Sequence, residues 1–395
     1  MKRLFSIILL SVSVFLCACS ENSSPVQPTT VTTVTEPVTT EQPATEQPAT
    51  EQPATYSHKQ TEQDEIDNIL SKMTLEEKVG QMFYVRCPDE QAVETISKYH
   101  LGGYILFGRD FEGKTKEEII SAIDSYQNAA EIPMFIGVDE EGGTVVRVSD
   151  NPNLRDEPFL SPSDTYYAGG WEQINSDEAE KADLLLSLGI NVNMAPVCDI
   201  TSDSNAFMYY RSFSSKTENQ CRYVKTVVDI CKEKNLGTVL KHFPGYGNNT
   251  DTHTGIAYDE RPYSEFEEKD FVPFKKGIES GADCVLIAHN IVKCMDSEYP
   301  ASLSKEVHRI LREELDFNGV IMTDDLSMEA ITDFTGADTA AVFAAKCGND
   351  ILCCTDVEKQ YPAVLEAVKN GEIPIEQINE SVTRILKWKK NLGLL

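Results

Sequence analysis

From residue 82 onward the chain alternates short apolar runs with longer amphipathic stretches. Eight runs of four to six residues stand out, at 82–85, 103–107, 134–138, 192–197, 238–243, 284–289, 320–323 and 351–354. Runs this short, rich in Val, Ile, Phe and Cys, read as buried strands. Between them, apolar residues recur at helical spacing over 116–131, 178–188, 219–234, 264–280, 305–315 and 338–346, with a last amphipathic stretch at 375–390. Thr74 and Glu77 stand at capping-box spacing and predict a helix ahead of the first run. Strand followed by helix, repeated eight times, predicts an α/β fold with a parallel sheet closed into a (β/α)8 TIM-type barrel. An open doubly wound sheet is the alternative.

The ends of the chain change the picture. Lys2 and Arg3 precede an apolar segment reaching Leu16, too short for a confident membrane span, and Leu16, Cys17, Ala18 and Cys19 resemble a bacterial lipobox. Residues 1–19 are therefore expected to be a lipoprotein signal peptide, with Cys19 the lipidated residue. An ordinary signal peptide or an uncleaved anchor is the plainer reading. Residues 20–60 are dominated by Thr, Pro, Glu and Gln, with EQPAT repeated from Glu41, Glu46 and Glu51 and no aromatic residue before Tyr56. Such a segment buries too little to offset its ordering entropy, so a disordered tether is expected there. At about 3 Å per residue it would reach roughly 100 Å from an anchor. Residues 61–395 are then expected to form a single barrel, monomeric and held outside the cytoplasm at the bacterial cell membrane.

Composition excludes some chemistry. A formal charge of −29 would repel a phosphate backbone, so nucleic acid is not an expected partner. Eleven cysteines are present, two of them in the signal region, and the other nine lie scattered with no CxxC and His pairing. Neither a disulfide framework nor a zinc site is indicated, and Cys198, Cys284, Cys353 and Cys354 read as small buried hydrophobes.

Polar residues gather just after the apolar runs. Asp139, Glu140, Glu141, Gly142 and Gly143 follow the third, Asp199 the fourth, Lys241 and His242 end the fifth, His289 and Asn290 the sixth, and Asp324 and Asp325 the seventh. In a barrel these ends share the face that carries active sites. Lys241 opens the stretch KHFPGYGNNTDTH, in which Asp251 and His253 lie two apart and point to one side of an extended chain. That pairing suits an acid/base histidine oriented by a carboxylate; a polar surface loop is the plain reading. The acids of VDEEGG suit sugar hydroxyls, or simply an acidic turn. Asp324 at an apolar strand end has the place of a nucleophile able to attack an anomeric carbon, whereas Asp325 reads better as a helix cap. Arg211 and, with less support, Arg147 offer bidentate donors to hydroxyls, or ordinary salt bridges.

In order and spacing, VDEEGG, NVNMAPVCDI, RSF, KHFPG, DTH, IAH and TDDLSM resemble glycoside hydrolase family 3, and specifically its single-domain β-N-acetylglucosaminidases. The resemblance runs from MTLEEKVGQMF at Met73 to the C-terminus. It implies a nucleophile at Asp324, an acid/base at His253 with Asp251 as its partner, and a sugar-gripping set of Asp139, Arg211, Lys241 and His242, with Arg147 in addition. It implies no metal and no organic cofactor. The expected reaction is exo-release of terminal β-linked N-acetylglucosamine, with retention, from peptidoglycan fragments or chitin oligosaccharides. Phosphorolysis at the same site, or a sugar-binding lipoprotein without catalysis, are the alternatives. Two departures stand out: Tyr246 occupies the place of a second histidine in KHFPGHG, and DTH replaces DSH.

Overall fold

The computed structural model describes residues 54–249, 255–336 and 339–395. Its core is one eight-stranded parallel sheet, whose strands we number β1 (Phe83–Arg86), β2 (Gly103–Leu106), β3 (Phe135–Val138), β4 (Val192–Asn193), β5 (Gly237–Phe243), β6 (Cys284–Ile287), β7 (Val320–Thr323) and β8 (Leu352–Cys354). They neighbour one another in sequence order, and β8 also pairs with β1 through the register Phe83 to Leu352. The remaining gap, between β7 and β8, is bridged where Met322 meets Ile351 and the Thr323 amide donates to the Ile351 carbonyl at 3.1 Å. The closed barrel, rather than the open sheet, is therefore what the eight runs build.

The run at 192–197 contributes a strand of only two residues, because Pro196 has no amide to add to the ladder. Beyond it the chain still tracks β5, with the Val239 amide donating to Ala195 and the Cys198 amide to Lys241. All six helical stretches between the runs appear, the third from last and its successor interrupted by π-helical turns at Phe266–Asp270 and Ile310–Glu314. Helices without a strong advance signal include Ala92–Tyr99, the single turn Gly108–Phe111, and Val357–Lys369, whose pattern is broken by Pro362. The capping box forms as expected, with the Glu77 amide donating to Thr74 Oγ1 and the Thr74 amide to the Glu77 carboxylate. A further helix, Ala54–Lys72, begins inside the segment expected to be tether, so the boundary drawn at residue 60 falls within it. Its Ile66 is buried, and Ile69 and Leu70 pack on the core.

Inside the barrel, Tyr84 lies across β2 and β3. A Cβ at Gly137 would stand 1.6 Å from the Tyr84 hydroxyl, and one at Gly103 2.5 Å from its ring. Only glycine admits the ring, and the buried hydroxyl has no hydrogen-bond partner among the described residues. At the strands' N-terminal end, buried Asp350 binds Arg312 at 2.6 Å, Arg384 at 3.0 Å and Ser381 at 2.8 Å, and accepts the Ile321 amide. Nearby, buried Lys389 donates to Gln81 Oε1 at 2.6 Å and lies over the Phe135 ring.

Two stability measurements follow from this interior. Gly137→Ala should cost about 1–3 kcal/mol through overpacking. Tyr84→Phe, which deletes an unpartnered hydroxyl, should change stability little alone and recover part of that loss in the double variant. Strictly additive effects in denaturant titrations would show that the Tyr84 contact is not the cause. Burial pushes Lys389 down to about 7, against about 10.4 in an unfolded chain. Between those values the unfolded chain holds a proton the folded chain has lost, so this group makes stability rise with pH across the window. Lys389→Met should flatten that rise, as read by denaturant titration at the two ends of the window.

Candidate active site

The polar strand ends do converge. Asp139 and Glu141, two residues apart beyond β3, both turn to the barrel axis, and Glu140 between them turns away, as extended chain requires. Glu140 is consumed by its own loop: it accepts the amides of Arg147 at 2.8 Å and Val148 at 2.7 Å, and its other oxygen takes the Ser149 hydroxyl. The two glycines that follow do not approach a ligand. A Cβ on Gly142, at φ 95°, would stand 2.2 Å from the Leu160 carbonyl, so the close approach is to the protein's own chain.

Glu141 is the centre of the site. It is buried, and its carboxylate is gripped by Arg211 through two bonds, Nε to Oε2 at 2.9 Å and Nη2 to Oε1 at 2.7 Å. From β5, Lys241 Nζ reaches the same Oε1 at 2.6 Å and Asp139 Oδ1 at 2.5 Å. Burial alone would raise the Glu141 carboxyl, but Arg211 and Lys241 outweigh it and hold it well below the usual carboxylate range. Burial likewise opposes charge on Lys241, and Asp139 and Glu141 more than reverse that, so the ammonium stays charged. Two anions and two cations thus balance in a buried cluster, and Lys241 retains a third N–H for a ligand.

His242 follows Lys241 across a cis peptide, and the next residue pair, Phe243 and Pro244, is also joined in cis. Arg211 Nη2 lies 3.2 Å from His242 Nε2. Since guanidinium only donates, Nε2 is the acceptor and the proton sits on Nδ1, which donates to Asp199 Oδ2 at 2.8 Å. Asp199 is fully buried and also accepts the backbone amides of His242 and Tyr246. Tyr246 is itself buried, with its ring edge-on to His242 at 5.4 Å and to Phe207 at 6.1 Å. It forms a wall of the site.

Asp139, Arg211, Lys241, His242 and Tyr246 line a cavity of about 510 Å³ together with Asp324, Asp325, Arg147 and Arg86, and buried Glu141 and Asp199 hold those residues without lining it. Asp324 follows β7: its amide donates to Ile287 of β6 and its Oδ1 accepts the Asp325 amide at 2.9 Å. Asp325 shapes the turn rather than capping the next helix, accepting the Ser327 amide and the Thr355 hydroxyl, while Met328 stands at the N-cap. Arg147 lines the cavity and donates to the Val146 carbonyl. His289 is buried and structural, bonded to Ser302 and to the Asp325 carbonyl, which ties β6 to the loop bearing Asp324. Asp251 and His253, expected as the acid/base pair, lie outside the described residues, as does Cys19.

Arg86 has no place in the sequence reading, while Asp199 appears there only as a polar residue at a strand end and Glu141 only as one acid of VDEEGG. Each stands at or just after an apolar run, which is the signal that finds their neighbours. The Gly245 backbone is packed: at φ 119° a Cβ there would meet Asp270 at 2.5 Å, and Arg261 donates to its carbonyl. Among the described residues, Glu77, His100 and Glu131 bring metal-type donors within 4.8 Å of one another, but none lines this cavity, and Glu77 is committed to its capping box.

Residues 74–388 match the family described as glycosyl hydrolase family 3 N terminal domain. Beta-hexosaminidase A of Pseudoalteromonas piscicida is 30% identical over 329 residues, covering 76% of this chain and 55% of the relative, so the chain spans about half of that protein's length. Beta-hexosaminidase LpqI of Mycobacterium tuberculosis is 29% identical over 336 residues, covering 79% and 82%. A solved glycoside hydrolase family 3 beta-N-acetylglucosaminidase from Paenibacillus sp. str. FPU-7 superposes with a TM-score of 0.76 at 29% identity, over 82% of this chain and 63% of that one. With a barrel of this topology and the family's sequence pattern running through nearly all of it, the chain belongs to glycoside hydrolase family 3.

Proposed function

We propose that the chain is a retaining exo-β-N-acetylhexosaminidase acting on terminal N-acetylglucosamine. The observation that carries this reading is one cavity holding both the carboxylate of Asp324 and the fixed donors and acceptors of Lys241, Arg211, His242 and Asp139. Relatives named as beta-hexosaminidases support it. A sugar ring seated against Lys241 and Asp139 meets a donor and an acceptor whose positions are set before it arrives, which lowers the ordering cost of binding. Asp324 attacks the anomeric carbon from across the mouth and the C–O bond to the leaving group breaks. His253, oriented by Asp251, gives that oxygen its proton. Water then attacks the glycosyl ester, losing a proton to the same histidine, and frees the sugar with its configuration retained.

The placement of the enzyme is part of the same proposal. Residues 1–19 carry the signal, Cys19 the lipid, and the following segment tethers a monomeric barrel outside the cell membrane, where peptidoglycan fragments are the first glycans met and chitin oligosaccharides the second. No helix among the described residues is long and apolar enough to cross a membrane.

Asp324→Asn should lower kcat on an aryl N-acetyl-β-glucosaminide by about a thousandfold or more while leaving the unfolding midpoint near that of the parent. Unchanged hydrolysis would remove Asp324 from the mechanism. Product analysis with and without phosphate separates the outcomes further: free N-acetylglucosamine in both supports hydrolysis, and sugar 1-phosphate would replace that reading with phosphorolysis. Lys241→Met strands two carboxylates, one of them deeply buried. It should cost about 3–5 kcal/mol of stability and raise KM sharply, read by denaturant titration and by kinetics on the same aryl substrate.

A further inference from the structure

The loop that carries Arg211 has two sides. Phe207 and Arg211 face the catalytic cavity, whereas Tyr209 and Tyr210 line a separate cleft of about 380 Å³, opposite Tyr167. Tyr167 is 84% exposed and Tyr210 64%, with Tyr209 and Tyr166 also at the surface. Scattered exposed apolar residues are ordinary; several large rings around one cleft are not.

The rings are held, not dangling. Tyr166 packs edge-on against Phe213 at 5.6 Å and Trp171 at 5.3 Å, and adjoins Tyr167 at 6.4 Å. Phe213 stacks on the buried Tyr223 at 4.9 Å, so an aromatic chain runs from the core to the solvent. Tyr209 and Tyr210 pack edge-on at 5.2 Å. The helix Pro162–Ser187 breaks at Gly169 and Gly170, which lets its first turns, bearing Tyr166 and Tyr167, stand apart from the rest.

The polar part of the cleft is hydroxyl: Ser163, Ser202 and Ser212 among others, with the carboxylate of Asp164. Ser212 is 5% exposed, and its buried hydroxyl has no hydrogen-bond partner among the described residues. Among the described residues no lysine or arginine lines the cleft, and the chain as a whole is strongly acidic, which disfavours a polyanion. What fits is a neutral ligand with C–H faces for the electron-rich ring faces and hydroxyl or amide edges for the serines. A pyranose chain has both.

We propose that this cleft is a second glycan-binding site, which holds a β-linked amino-sugar chain on the outer wall of the Arg211 loop while the neighbouring cavity acts on a chain end. The choice of sugar class rests on the function proposed above; the aromatic and hydroxyl geometry does not. The test uses the full chain carrying Asp324→Ala, to prevent turnover, with tetra-N-acetylchitotetraose as the probe in titration calorimetry. Two sites per chain are expected. Adding Tyr167→Ala and Tyr210→Ala should remove one site or weaken it at least tenfold, and Tyr→Phe at both positions should retain it. In the active protein the same alanine pair should leave kinetics on the aryl monosaccharide within twofold and raise KM for the tetrasaccharide. Unchanged stoichiometry in the alanine pair, loss of the site in the phenylalanine pair, or binding of polypeptide but not sugar by the cleft would each overturn the proposal. Failure of the aryl substrate to turn over would count against the catalytic reading alone, because the calorimetric site count is independent of catalysis.

Discussion

The barrel mouth is organised by the need to keep one buried carboxylate charged. Glu141 has almost no contact with water, and an isolated anion in that position would be protonated or expelled. It is stable as a carboxylate because Arg211 supplies a planar two-point partner and Lys241 a third contact, from segments 70 and about a hundred residues away in sequence. Each partner is then committed in turn. Lys241 is shared with Asp139, and Arg211 with His242. The ends of β3 and β5 and the loop after β4 are thereby locked to one another by charge, and removal of any member strands the others in a poorly solvated place.

The same chain of dependence fixes the chemistry offered to a ligand. Arg211 can only donate, so His242 must accept at Nε2 and carry its proton at Nδ1, where Asp199 receives it. Asp199 in turn holds the backbone of His242 and Tyr246, and Thr201 just beyond it donates to Asn248 at 2.7 Å. The two loops that wall the cavity therefore brace each other. At the opposite end of the strands, Asp350 with Arg312 and Arg384 binds elements into the barrel floor without touching the cavity. Charge is buried at both ends, for closure below and for preorganisation above.

Much of this was legible in the sequence because it depends on local period and on topology. Apolar runs of strand length located all eight strands, and once a parallel barrel is inferred, Asp139, Arg147, Arg211, Lys241, His242 and Asp324 must share one face; all six line one cavity. What the pattern does not carry is which polar residue at a strand end turns inward and what it meets. Glu140 and Glu141 are adjacent and chemically alike, yet one ties down its own loop and the other centres the site. Asp199 acquires meaning only through His242 and Tyr246, more than forty residues on in the sequence. Nor does the pattern show that Gly142 and Gly245 are places where the backbone passes close to the protein itself. The helix Val357–Lys369 was obscured by Pro362, which its tertiary contacts tolerate; Tyr361 beside it is buried against Phe83 and Tyr99.

Tyr246 shows how a departure from a family pattern can be absorbed. A histidine at this position would add a titratable ring beside His242, close to Asp199, and so compete for the acceptor that fixes the His242 tautomer. Tyrosine fills that space with an edge-on ring and leaves the bond to Asp199 to its backbone amide alone. With Phe207 packed on its other side, it converts this wall of the cavity from polar to aromatic. Phe207 belongs to the loop whose outer side carries Tyr209 and Tyr210. The loop thus presents rings on both sides while Arg211 at its end stays bound to Glu141, so the charge cluster that holds the sugar-facing donors also anchors the aromatic surface outside them.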